Sequence, residues 1–410
     1  MDRPVDAELN PGQTPRNRVL HIARDFPDAV LPRLGLWTER LVRSTMDRCS
    51  VEVIAPVPYW PPVPGPANFR RFRRVPRETI LNGIRVHHPR FMVGPGSALQ
   101  RFEGLTMYAG IRRLAARLHA EQQFDVIHGH FVFPAGWAAA RLANEFRVPL
   151  IITEQASWRP WLDHAPLVRK HAVQVAAQSR FLVAVSRSLA TSIAGFIDLG
   201  DRLRVIPNVV DEQVFTLPDK HIEPVANRII FVGLIRRVKG LDLLLEAMRL
   251  LLDQGREVTL AVVGESFYGA YRADHDAALE QVAALGLQSC VTFLGGLPPD
   301  QVAREIWKSR ALVLPSRRET FAAVVAEAIA CGRPVVATRC GGPEDIVTED
   351  VGILVAPESP AALAAGIATV LDRRYDPASL REHAVSRFGM CTVGEQLVRL
   401  YDDALRSGAS

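Results

Sequence analysis

The chain is expected to fold as an α/β protein with two doubly wound parallel-sheet domains facing one another. Three observations lead there. At 410 residues it is too long for one typical core, so two domains of about 200 residues are expected. Short apolar runs alternate with amphipathic helical stretches in both halves, the pattern of βα units and parallel sheets. A polar stretch from Pro207 to Asn227 interrupts that alternation, and a fresh series starts at Ile229. Neither half repeats the other in sequence.

Taken in order, Val19 to Ala23 reads as a first buried strand, followed by a loop from Asp25 to Gly35 and a helix from Trp37 to about Arg48. Val51 to Ala55 is a second strand. Pro56 to Pro66 is expected to be loop, since proline fits neither a helix interior nor a central strand. Ile84 to His87 is a short strand and Gln100 to Gln122 a long amphipathic helix. Val126 to His128 is a strand, Pro134 to Phe146 a helix, and Leu150 to Thr153 a strand. Ala165 to Gln178 is helical, Phe181 to Ser186 a strand, and Arg204 to Ile206 the last strand of this half. The second half runs Ile229–Gly233, Leu241–Leu252, Val258–Val263, His275–Leu285, Val291–Leu294 and Pro299–Ser309. Helices near Pro360–Asp372 and Val393–Arg406 end the chain. Residues 1–16 read as a disordered tail. The domains are therefore placed at 17–206 and 228–384, with 207–227 as linker.

The most informative segment is Arg318-Glu319-Thr320-Phe321-Ala322-Ala323-Val324-Val325-Ala326-Glu327. It lies between the apolar runs Ala311–Pro315 and Val335–Thr338 and reads as strand, tight loop, helix, turn, strand. Glu319 falls in the loop and Glu327 about two turns into the helix. A helix start offers unpaired N–H groups and a positive dipole end, which suit a phosphate. Residues 320 and 327 are seven apart, nearly on one helix face, so Glu327 can reach the same ligand. Its carboxylate suits paired hydroxyls such as those of a ribose. After the next strand comes Gly341-Gly342-Pro343-Glu344-Asp345, where parallel α/β sheets place their ligand crevice.

Together these segments resemble the C-terminal half of retaining nucleotide-sugar glycosyltransferases of family four, which have the GT-B fold of two Rossmann-like domains. The resemblance spans about residues 17–405 and implies that a C-terminal helix, 385–410, crosses back onto the first domain. Phe231 to Gly240 opens the second domain as strand, basic loop and helix, and its cations suit a diphosphate. Lys239 matches the family's lysine there, but Leu234 stands where the family has arginine, so Arg236 or Arg237 is left as the substitute. Asp125-Val126-Ile127-His128-Gly129-His130 resembles the motif whose second histidine lies in the cleft, a role that falls on His130. The Asp25–Gly35 loop resembles the family's first glycine-bearing loop, with Gly35 approaching the donor. Gly264 and Gly295 end two further strands on the same side.

The implied machinery is therefore Lys239 and the helix start on the leaving diphosphate, with Glu319 and the Phe321–Ala322 backbone near the donor sugar or phosphate. Glu327 would hold the ribose, and His130 would orient donor or acceptor. Glu154, Trp158 and Arg159 are expected to line the acceptor cleft, since aromatic faces stack on sugars; Trp161 belongs with them. No His/Cys cluster with metal spacing and no HExxH is present, so no metal site and no cofactor are expected.

Composition sets the remaining bounds. Hydrophobic residues at 48% and charged residues at 23% fit a globular protein, without an 18-residue apolar run for a membrane span. Five cysteines without metal spacing suggest reduced thiols and a cytoplasmic location. Residues 60–120 carry eleven arginines against Glu78 and Glu103, a net +9 where the whole chain is +5. That patch suits an anionic or lipid-linked acceptor and peripheral contact with an anionic membrane through the Arg-rich 70–117 region. Nothing resembles a nucleic-acid recognition signature, so nucleic acid is not an expected partner. Alternatives are a GT-B sugar-nucleotide epimerase, an inactive sugar-nucleotide-binding scaffold, and a dehydrogenase whose glycine fingerprint is missing.

Overall fold

The computed structural model describes residues 17–59, 67–94, 101–156, 166–218, 222–264 and 272–406. The tail expected at residues 1–16 and the residues Trp158, Arg159 and Trp161 lie outside them. The first half contains β1 (Arg18–Ala23), α1 (Leu36–Arg43), β2 (Ser50–Ile54), β3 (Val57–Tyr59), β4 (Glu78–Leu81), β5 (Ile84–His87) and β6 (Arg90–Met92). It continues with α2 (Glu103–Glu121), β7 (Val126–His130), α3 (Trp137–Phe146), β8 (Leu150–Glu154), α4 (Pro166–Gln178), β9 (Phe181–Ala184), α5 (Arg187–Ala194) and β10 (Leu203–Val205). These strands form an eight-stranded sheet, in the order β10-β9-β8-β7-β1-β2-β5-β4, and a two-stranded β3–β6 ribbon.

The second half contains β11 (Val225–Val232), α6 (Leu241–Asp253), β12 (Thr259–Val263), α7 (Arg272–Ala284), β13 (Val291–Gly295), α8 (Pro299–Trp307) and β14 (Ser309–Leu314). Then come α9 (Ala323–Ala330), β15 (Val335–Thr338), α10 (Pro343–Ile346), β16 (Gly352–Val355), α11 (Pro360–Asp372), α12 (Pro377–Phe388) and α13 (Met390–Arg406). Its six-stranded sheet, β13-β12-β11-β14-β15-β16, is parallel throughout. The architecture is the expected pair of parallel-sheet α/β units.

Several local expectations are corrected. Val57–Tyr59 is a strand despite Pro58, because it pairs only with β6 in a two-stranded ribbon and no central ladder needs the missing N–H. The first sheet ends in an antiparallel strand, β4, which pairs with β5. Asn82 (φ 49°) and Gly83 (φ 81°) make the tight turn between them. The proposed linker is shorter than 207–227, since β11 already begins at Val225.

The C-terminal helix packs on the first sheet. Val393, Leu397, Leu400, Tyr401 and Ala404 form a buried stripe at helical spacing against Val19, Leu41, Val126 and Ile151. Each full-size side chain so buried contributes about 1.5–3 kcal/mol relative to exposure. A second crossing of the chain lies beside the linker, where Val210 N donates to Phe388 O at 2.8 Å. One contiguous apolar cluster extends from Leu20 and Ile152 through Val210 and Phe215 to Phe321 and Ile329.

Candidate active site

In parallel sheets the C-terminal ends of the strands carry the ligand crevice, and the residues of interest gather there. After β14 the chain runs Pro315 to Ala322 before α9 starts. Glu319 Oε1 accepts from Lys239 Nζ at 2.7 Å and from Ser316 Oγ at 2.6 Å. Its side chain is 8% exposed, so the carboxylate draws most of its stabilisation from these two donors. The loop is pinned from the other side: Glu319 N donates to Cys340 O at 3.0 Å and Gly342 N to Glu319 O at 3.0 Å. Burial pushes the Cys340 thiol up to about 12, so it stays protonated beside Glu319.

The helix begins one turn later than the sequence suggests. Ala322 takes a left-handed conformation (φ 71°, ψ 56°) as the N-cap of α9. A non-glycine residue there carries strain, and it ends the loop abruptly. Thr320 therefore lies outside the helix, and Glu327 stands about one turn in, not two. Gly35 before α1 (φ 76°) and Gly240 before α6 (φ 70°) share that left-handed N-cap. None of the three helices has a side-chain cap, so their first N–H groups are left for another acceptor. Ser186, Ser359 and Asp376 do cap α5, α11 and α12.

Gly35 is forced by contact as well as by φ: an added Cβ would sit 2.2 Å from Asp25 O. Gly264 is forced by contact alone, since its Cβ would lie 1.8 Å from Gly233 O. Gly264 N donates to Gly295 O at 2.9 Å, and Gly233 N to Val263 O at 2.9 Å, so the ends of β11, β12 and β13 form one rim. Arg236 is half-buried at the start of the Arg237–Lys239 turn, whereas Arg237 is exposed.

The structure moves some expected residues away from open space. His130 is fully buried, and its Nε2 lies 3.1 Å from His21 Nδ1. Burial pushes its imidazole down to about 3, so the ring is neutral at pH 7. His21 and His128 are likewise held well below the usual histidine range by burial. His128 is satisfied by Tyr401 Oη at 2.8 Å and Thr153 Oγ1 at 2.7 Å. The three imidazoles pack side by side, with centroids 4.6–5.4 Å apart. His130 thus lies in a buried histidine column and does not present an exposed ring to the cleft.

Glu154 is also turned inward. It accepts from Gln155 N and Ala156 N on Oε1 and from Val132 N on Oε2, at 2.8–3.0 Å, so backbone donors occupy both oxygens. Phe321 sends its ring against Phe388, 5.6 Å between centroids, which leaves its backbone facing the Gly342 loop.

Glu327 is buried and paired. Its Oε1 accepts from Arg40 Nη1 of α1 at 2.6 Å. Sequence reading missed Arg40, because the partners are 287 residues apart and no local pattern links them. It also missed Asp25, a half-buried carboxyl at the end of β1 whose pKa burial raises. Its position just past a strand terminus is the signal that could have found it.

Comparison with known proteins identifies the family and the fold. Residues 37–214 match the model of Glycosyltransferase Family 4, and residues 216–387 match Glycosyl transferases group 1. A D-inositol 3-phosphate glycosyltransferase of Xylanimonas cellulosilytica is 32% identical over 370 residues, covering 80% of this chain and 84% of that protein. In fold, the chain is similar to sucrose-phosphate synthase of Thermosynechococcus elongatus. The TM-score is 0.75 at 20% identity, over 96% and 100% of the two chains. Anabaena HepE, solved with UDP and glucose, gives 0.71 at 20% identity over 94% and 99%. With two matched models that together span most of its length and a relative 32% identical over most of both chains, the chain belongs to the group 1, family-four glycosyltransferases of GT-B fold.

Proposed function

We propose that the protein moves a sugar from a nucleoside-diphosphate donor to an acceptor hydroxyl, with retention at the anomeric carbon and without a metal. The observation that carries this is the Lys239–Glu319 pair beside the uncapped start of α9. An incoming diphosphate would take over the Lys239 ammonium and the helix N–H groups. Both would then stabilise the charge that builds on the leaving oxygen. Glu319, released from Lys239, would face the donor sugar or phosphate. Glu327 would take the ribose hydroxyls, and the rim at Gly264 and Gly295 would lie beside the base. A thermal-shift panel of UDP-, GDP- and ADP-sugars, run with a chelator, tests the reading. A donor at 100 times its dissociation constant should add about 2.7 kcal/mol to the wild type and much less to Glu327→Ala. No shift with any donor would sink it.

The name of the Xylanimonas relative, a D-inositol 3-phosphate glycosyltransferase, supports a phosphate-bearing acceptor here. The Arg-rich region supports a place at an anionic membrane in polysaccharide or glycolipid assembly. Arg101, Arg112, Arg113 and Arg117 are exposed on or beside α2, together with Phe102 and Leu105. Cations interleaved with apolar side chains suit a headgroup surface. No helix among the described residues is long and apolar enough to cross a membrane. Sedimentation with anionic vesicles at low salt decides between the two settings: binding places the acceptor at the membrane, and its absence leaves a free phosphorylated acceptor.

A further inference from the structure

The Arg40–Glu327 pair joins the two halves of the molecule, and the role inferred for it rests on Glu327 being the residue that takes the donor ribose. The Arg40 and Glu327 side chains are 8% and 12% exposed, and the guanidinium lies 5.3 Å from the Phe215 ring centroid. Arg40 has no second carboxylate partner among the described residues. A buried cation placed so is committed to its one anion, because separating them would leave an uncompensated charge. One turn further along α1, Arg43 pairs with Asp211 of the linker and, at 3.3 Å, with Glu39. Glu39 in turn accepts from Asn82 Nδ2 at 2.8 Å. The helix that carries Arg40 is thus itself fixed to the linker and to the β4–β5 turn.

A carboxylate has two oxygens and about four lone-pair directions. Arg40 takes Oε1, so Oε2 is the oxygen left for a ligand hydroxyl. On a helix surface a glutamate otherwise samples several rotamers, and one strong charge-assisted bond selects among them. We propose that Arg40 is a positioning residue for the donor. It holds Glu327 so that Oε2 meets the ribose hydroxyls, and it does so from the opposite half of the molecule. Recognition of the ribose is then complete only when the cleft is closed, which couples donor reading to closure.

The test reads the ribose directly. Calorimetry compares UDP, GDP and ADP with their 2′,3′-dideoxy counterparts, and the ratio of affinities within the tightest pair is followed. Wild type should favour the ribonucleotide roughly tenfold or more, the range of a charge-assisted hydrogen bond. Arg40→Met should bring the ratio close to one while leaving dideoxynucleotide affinity unchanged; Arg40→Lys should fall between. A merely structural arginine would weaken both ligands alike. Glu327→Gln should collapse the ratio too, with no further loss in the double variant. If Glu327→Gln keeps the ratio, the ribose reading itself fails. If it loses the ratio but both Arg40 variants keep it, or raise it, the positioning role alone is overturned. Should Arg40→Met not fold, Arg40→Lys and the charge-neutral Arg40→Met/Glu327→Gln double variant carry the comparison. Failure of every nucleotide to bind wild type would remove both readings.

Discussion

Replacing Lys239 by methionine separates what the lysine does for the fold from what it does for the reaction. In the structure Glu319 Oε1 has two donors, Lys239 Nζ and Ser316 Oγ, and little contact with water. Lys239→Met leaves the carboxylate with one neutral hydroxyl, at a cost of about 1–3 kcal/mol of stability. Lys239 itself is 26% exposed, so solvent shares in its interaction and the lower end of that range applies. The chemical effect should be larger. Losing one preorganised group aimed at developing charge costs about 10²–10³ in kcat, or roughly 2.7–4 kcal/mol. The two effects part in the double variant Lys239→Met/Glu319→Gln, where no buried charge is left unpaired. Urea denaturation should then show most of the stability restored. Release of nucleoside diphosphate from the donor, to water or to the acceptor once known, should remain as slow as in the single variant. Turnover of Lys239→Met within about threefold of wild type, well short of the loss expected for such a group, would refute the role on the leaving group. Recovery of turnover in the double variant would do the same, by showing that an unpaired Glu319 was the cause.

The histidine column gives a pH prediction. His130 has its folded pKa pushed to about 3, below an unfolded value near 6.5, so below pH 6.5 the unfolded chain takes up a proton that the folded one refuses. Stability is full above pH 6.5 and falls toward pH 3 by about 1.4 kcal/mol per pH unit for this one ring; His21 and His128 act in the same direction. His130→Asn should shrink the difference in urea stability between pH 7 and pH 5 by about 2 kcal/mol, and an unchanged difference would mean the ring is already protonated. Ala322→Gly should relieve the left-handed N-cap of α9 and raise stability by about 0.5–1 kcal/mol, the strain relieved less the extra chain entropy of glycine. A fall instead would show that the methyl group packs usefully.

The sequence carried the parts of the fold that repeat and the parts of the site that are local. Apolar runs bounded by turn residues marked the strands of both sheets, because buried parallel strands need little else. Apolar periodicity alone passes over short or edge structure, though its signals are local. The Asn82-Gly83 turn and the Asp376-Pro377 start of α12 were both written in the chain, since Asp376 accepts from Ala378 N and Ser379 N as an N-cap. Glu319 and Lys239 were visible as motif members, and their contact follows from adjacent strands of one sheet. Arg40 and His21 were not visible. Their partners depend on which strands are neighbours and on how the two halves meet, and a one-dimensional pattern holds neither. His130 is a different case: its place at a strand end is legible in the sequence, whereas its burial is set by the packing around it.

The return of α13 to the first sheet has a consequence for biosynthesis. Tyr401 and its neighbours cover the face formed by Val19, Val126 and Ile151, yet they leave the ribosome only after every strand of the second half. The first half therefore waits through synthesis of the whole second half with one apolar face uncovered, while the second half can close its own sheet as it emerges. A chain stalled or cut before residue 390 would expose that face permanently. Such fragments should be held by chaperones or degraded rather than persist as a free first domain.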